Sequence, residues 1–111
     1  MIFEIRNYHY EPDLMADYKV WANELALPYI REHLDLAGIW VNIDEPALIN
    51  GKPQDDLGPA TVTWIIRWDD IETRHEVMGK VFANDEWSAI MQRNPGQENY
   101  HRTEAKFAEA L

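Results

Sequence analysis

Apolar positions along this chain recur with a period of two in some stretches and of three to four in others, and the changes of period mark its elements. Residues 2–10, IFEIRNYHY, alternate apolar or aromatic with polar residues and predict a first strand, which Glu11-Pro12-Asp13 ends. Phe3 and Ile5 fall on one face of it, and Ile2, Glu4, Arg6, Tyr8 and Tyr10 on the other. Leu14, Tyr18, Trp21 and Leu25 follow at helical spacing, predicting a long helix over residues 13–36 with Gly38 just past its end. Pro28 lies inside that span. Its ring displaces the carbonyl four residues back, so a kink or break is expected near Glu24–Leu27.

Alternation returns over residues 38–44 as a second strand, then gives way to Pro46, Gly51, Pro53, Gly58 and Pro59. That loop, residues 45–59, is longer than a hairpin needs and is expected to be a lid or a mobile excursion. Residues 61–68 predict a third strand. Asp69 or Asp70 caps a second helix whose apolar positions run from Ile71 through Val77, Val81 and Trp87 to Met91. After the breaker Asn94-Pro95-Gly96, residues 100–111 have a helical composition but sit where a fourth strand would complete the topology.

Strand, helix, strand taken twice predicts one α+β domain over residues 1–111. Its form is the ferredoxin-like βαββαβ arrangement, an antiparallel sheet with helices on one face. The other sheet face is then bare. Carrying tryptophans and tyrosines, it would need a partner, and the same face of a second copy would serve, making a homodimer.

Composition narrows the partners. Asp plus Glu number 20 against 10 Lys plus Arg, a formal net charge of −10, which disfavours nucleic acid and anionic membrane surfaces. The absence of cysteine removes disulfides, thiolate nucleophiles and Cys-ligated metals. The N-terminus reads as a strand and shows no signal-peptide pattern, so a cytoplasmic location is expected. Five tryptophans in 111 residues are a heavy aromatic load for so small an interior.

Three segments together carry a resemblance: IFEIRNY at residues 2–8, LPYIREH at residues 27–33, and WDDIETR at residues 68–74 running to Glu86-Trp87. They are similar to the opening strand, the Leu-Pro helix kink and the Tyr-Asp-Ser-Leu, Arg and Asp-Pro-Glu-Trp pattern of the NIPSNAP family, within the dimeric α/β barrel superfamily. Departures are visible too. Trp64 stands where the family's third strand usually carries His, Ile66 where it carries Trp, and residues 45–57 resemble an insertion. The resemblance implies that the tail is the fourth strand. It also implies relatives of diverse kinds, among them cofactor-free monooxygenases, haem-degrading enzymes, cyclases and stress-response proteins, while NIPSNAP members mostly lack an assigned reaction.

The face bearing Glu4, Arg6, Tyr8 and Tyr10, beside Trp64 and Trp68, is expected to line the barrel and suits a flat, partly polar molecule, with Arg6 for an anionic oxygen. Alternatively Glu4 and Arg6 pair with each other and the tryptophans fill the dimer core. His33, after the kink and near Glu32 and Asp35, is placed as a general base at the cavity mouth or as an exposed helix-end residue. The candidate ligand-binding set is therefore Arg6, Tyr8, His33 and Trp64. No cofactor is expected: no Gly-rich phosphate loop and no Ser-His-Asp context occurs. No metal is expected either, because His9, His33, His75 and His101 share no helical spacing and Asp44, Glu45, Asp55 and Asp56 lack the calcium-loop pattern. Arg74 is expected to pair with Asp70 or a nearby carboxylate, and Trp87 to anchor the second helix on the sheet. The readings that survive are binding of a small hydrophobic or aromatic molecule, a cofactor-independent monooxygenase or isomerase, and a non-catalytic homodimeric interaction protein.

Overall fold

A computed structural model describes residues 1–111. Four strands, β1 (Ile2–Tyr10), β2 (Leu36–Val41), β3 (Val62–Trp68) and β4 (Tyr100–Ala108), form one antiparallel sheet in the order β2-β3-β1-β4. The sheet is open and does not close into a barrel within the chain. The helices α1 (Met15–Trp21), α2 (Leu27–His33), α3 (Ile71–Val81) and α4 (Asp85–Gln92) complete the ferredoxin-like α+β pattern. The tail is a strand: β4 pairs with β1 from Phe3↔Ala108 to Tyr10↔Tyr100. Its alanines favour a helix only weakly, and an unfilled sheet edge along β1 outweighs them.

Pro28 acts as expected, by a specific route. Ahead of it, residues Ala22–Ala26 form a wide π turn in which the Leu27 N–H donates to the Ala22 carbonyl five residues back. That register leaves room for the proline ring without ending the helix, so α1 and α2 run on through the bulge. The helix ends at His33, and β2 begins two residues earlier than its alternation suggested. Gly38 therefore lies within β2 and is not a helix terminator. The Trp40 indole folds over it so closely that a Cβ at position 38 would stand 2.7 Å from the ring.

The second helix is two helices. Asp70 caps α3 by accepting from the Thr73 N–H at 2.7 Å. Asn84 breaks the continuity: its Oδ1 accepts from the Trp87 N–H at 2.9 Å, while its Nδ2 donates to the Lys80 and Val81 carbonyls and to the Tyr29 hydroxyl. One side chain thus satisfies orphan groups at the end of α3 and the start of α4.

Register assigns the faces. Arg6 lies opposite Trp64, Glu4 opposite Ile66 and Tyr8 opposite Val62, and this side meets the helices. The reading of a bare face rich in tryptophan and tyrosine is thereby corrected: Tyr8, Tyr10, Trp64 and Trp68 look toward the helices, not into a barrel. The uncovered face carries Phe3, Ile5 and Ile65 with Trp40, which is 53% exposed. Alternation along a strand defines two faces; the sense of the crossover decides which one the helices cover.

Residues 45–59 are neither a lid nor free. The Asp55 carboxylate meets Arg102 of β4 at 2.7 Å, and His9 Nε2 lies 2.8 Å from the Gly58 carbonyl. The loop thus reaches across one end of the sheet to its far edge, and none of its residues borders the main cavity.

Candidate functional site

Between the sheet and the helices lies a cavity of about 420 Å³ with 14 lining residues, 11 of them hydrophobic. Its floor is sheet: Arg6 and Tyr8 from β1, Trp64 from β3, Tyr100 and Thr103 from β4. Its roof is helix. Tyr18 and Trp21 come from α1, one turn apart and hence on one side of it, while Met78, Trp87 and Met91 come from α3 and α4. Trp21 Nε1 donates to the Ile90 carbonyl at 2.9 Å, tying α1 to α4.

Polarity concentrates beside the cavity, on the same face of β1. Glu4 is fully buried, and its carboxylate accepts from Arg6 Nη1 at 2.6 Å, Arg74 Nε at 2.8 Å, Arg74 Nη2 at 2.9 Å and Trp68 Nε1 at 3.1 Å. Burial alone would raise its pKa, but hydrogen bonds and charge from Arg74 and Arg6 together hold it below the ordinary value of 4.5. Two guanidinium groups thus share one carboxylate, and the cluster keeps a surplus positive charge. Arg6 Nε donates to the Tyr8 hydroxyl at 2.8 Å, and its guanidinium carbon sits 5.2 Å from the Trp64 ring centre. Burial works against the charge on Arg6, yet Tyr8 and Glu4 outweigh it and raise the pKa further. Arg6 stays protonated at any physiological pH.

Tyrosines form the second polar group. Tyr10 donates to Asn94 Oδ1 at 3.0 Å, and Asn94 Nδ2 donates to the Tyr100 hydroxyl at 2.9 Å. The rings of Tyr8 and Tyr100 meet edge to face at 5.6 Å. Burial pushes the Tyr18 and Tyr100 hydroxyls well above the ordinary phenol value, so both remain neutral and able to donate.

Of the residues singled out from the sequence, Arg6, Tyr8 and Trp64 come together on the cavity floor. His33 does not. It is exposed at the end of α2, its ring 4.4 Å from that of Tyr29, beside a separate depression that includes Asp35 and Arg67. Of the two places considered for it, His33 takes the exposed helix end and not that of a base at the cavity mouth, because it does not border the cavity. The pairing of Glu4 with Arg6 is present, and Arg74 joins it from 70 residues away in preference to the adjacent Asp70. Trp87 packs on Phe82, Tyr29 and Trp21, at 4.8, 5.3 and 6.4 Å between ring centres, and so anchors helix to helix. The roof residues carried a faint signal, since aromatic and Met side chains on an inward helix stripe read equally well as core. No group of three or more His, Cys, Asp or Glu side chains converges to hold a metal.

Fold and site define an open-sheet ferredoxin-like α+β protein with an aromatic cavity between its two layers. Its fold is that of NIPSNAP-family structures, in agreement with the resemblance in the sequence. An uncharacterised NIPSNAP domain protein from Burkholderia xenovorans superposes with a TM-score of 0.76 at 18% identity, over 100% of this chain and 95% of that one. A NIPSNAP family protein of unknown function from Agrobacterium tumefaciens gives 0.78 at 17% identity, over 100% and 88%. An antibiotic biosynthesis monooxygenase is more distant, at 0.58 and 13% identity over 100% and 99%. The sequence matches no family model and no curated protein. No helix is long and apolar enough to cross a membrane.

Proposed function

We propose that the protein binds a small hydrophobic or aromatic molecule in the cavity between its sheet and its helices. The observation that carries this reading is the cavity itself, about 420 Å³ and walled mainly by aromatic and Met side chains, with Arg6, Arg74 and Thr103 among them. Small-molecule sites typically measure about 300–1,000 Å³ with this kind of lining. Binding is favoured over monooxygenase or isomerase chemistry because the lining contains no histidine and no carboxylate. Glu4, the carboxylate beside it, is held ionised by two guanidinium groups and is a poor proton acceptor.

Because Trp21, Trp64 and Trp87 border the cavity, an aromatic occupant is expected to quench tryptophan fluorescence saturably and to raise the melting temperature. A titration with naphthalene derivatives, neutral and anionic, checks this. Thr103→Trp, at the exposed β4 rim of the cavity, is expected to block the effect without disturbing the core. Non-saturable quenching by every compound, or quenching unchanged by Thr103→Trp, would sink the reading.

The uncovered sheet face is assigned to a second copy of the chain, giving a homodimer. Apolar Phe3, Ile5, Ile65 and Trp40 share this face with Arg67, Glu104 and Lys106, and the presence of both signs of charge beside apolar side chains suits a self-complementary contact. Light scattering at micromolar concentration is expected to give the dimer mass, and Trp40→Glu the monomer mass. A monomeric wild-type protein would overturn the assignment.

A further inference from the structure

Arg6 has more hydrogen-bonding capacity than the fold uses. A guanidinium carries five N–H donors. Nε is spent on the Tyr8 hydroxyl and Nη1 on Glu4, but Nη2 bonds to no protein acceptor. It is also absent from the buried unpartnered nitrogens, which are His9 Nδ1 and Trp64 Nε1 alone, so it is open to solvent, and the open space that Arg6 borders is the cavity. Arg74 differs: Nε and Nη2 both go to Glu4, and Nη1 lies 3.3 Å from His75 Nδ1. Of the two guanidinium groups in the lining, Arg6 therefore has a nitrogen without a protein partner, in a chamber whose other polar groups are Arg74 and neutral hydroxyls, and the cluster holds one positive charge more than its carboxylate neutralises.

Resting on the cavity's being a binding site, we propose that its ligand is a planar aromatic acid with a single carboxylate, seated on Arg6 with its ring against Trp21, Phe82 and Trp87. Charge selects the acid. A chamber of low polarity strengthens the attraction between Arg6 and an anionic oxygen, and no protein carboxylate in the lining competes for that nitrogen. Charge limits the number, because the other donors in the lining are the neutral hydroxyls of Tyr18, Tyr100 and Thr103, and a second carboxylate would meet no second unpaired cation and would face the chain's net charge of −10. Preorganisation favours the same outcome. Tyr8 and Glu4 fix the fork, and the Trp64 and Tyr8 rings, 5.2 and 5.5 Å from its carbon, hold its plane.

The test compares 1-naphthoate with the neutral, nearly isosteric 1-naphthamide by fluorescence titration, on the wild type and on Arg6→Gln. The variant is expected to fold, because Glu4 keeps both bonds from Arg74 and the one from Trp68. Wild type is expected to prefer naphthoate by about tenfold or more, the scale of one charge-assisted hydrogen bond. In Arg6→Gln that preference is expected to vanish while naphthamide affinity stays within about threefold. Equal wild-type affinities, or a preference that survives in Arg6→Gln, would overturn the acid while leaving an aromatic-binding cavity in place. Failure of both compounds to bind saturably would remove the cavity reading and this inference with it.

Discussion

Replacing Glu4 by alanine is expected to destabilise the fold by about 3–5 kcal/mol, the scale of removing one partner from a buried ionic cluster. The carboxylate is fully buried and is the common acceptor for Arg6, Arg74 and Trp68, so its loss leaves two guanidinium groups facing each other without a counter-charge. Urea denaturation measures the effect. A loss under about 1 kcal/mol would show that water or a relaxed backbone replaces the carboxylate. Glu4→Gln separates charge from packing. Because the folded pKa of Glu4 lies below 4.5, its stabilisation is complete above that value and is lost as the pH falls through the lower, folded one. The stability gap between wild type and Glu4→Gln is therefore expected to be widest near neutrality and to close below about pH 4.5. A gap independent of pH would contradict an ionic origin.

Trp64→Ala is expected to cost about 3–5 kcal/mol as well, for a different reason. Trp64 is 5% exposed, lies in the middle of β3, and meets the Tyr8 and Phe82 rings edge to face at 6.0 and 6.1 Å. Its Nε1 has no hydrogen-bond partner, so the loss is mainly one of packing and dispersion, with the contact between the ring and the Arg6 guanidinium as its only polar part. Trp64→Phe, which keeps an aromatic ring beside Arg6, is expected to recover most of the stability. Equal losses in the two variants would point to a requirement for the indole itself. Trp64→Ala should also weaken aromatic ligands, because it removes floor from the cavity and a face on which the Arg6 guanidinium rests.

Much of the architecture was legible in the sequence. The period-two runs of β1 and β3, the inward stripe of Leu14, Tyr18 and Trp21, the disturbance ahead of Pro28 and the cap at Asp70 are local patterns, and each lies where the spacing placed it. The site was legible in part. Glu4, Arg6 and Tyr8 share a face because alternate residues of a strand must, and Trp64 joins them through the β1–β3 register. Arg74 offered no comparable signal. Asp70 stands at a favourable helical spacing from it, but an exposed pair on a helix contributes little, whereas Glu4 offers a desolvated carboxylate that two hydrogen bonds can satisfy. Of the bonds made by Asn84, those to Lys80, Val81 and Trp87 are local, and only the one to the Tyr29 hydroxyl needed the tertiary fold.

By itself the sequence determined β1, β3, the first helix with its disturbance ahead of Pro28, the cap at Asp70, and the grouping of one acid, one base and two tyrosines along a single strand face, because those are properties of neighbours a few residues apart. Tertiary structure alone decided which sheet face the helices cover, that His33 does not border the cavity, that Arg74 crosses to Glu4, and that one Arg6 nitrogen is left without a protein partner. Those outcomes depend on crossover sense and on contacts between residues far apart in the chain, where burial and charge are settled jointly by several elements.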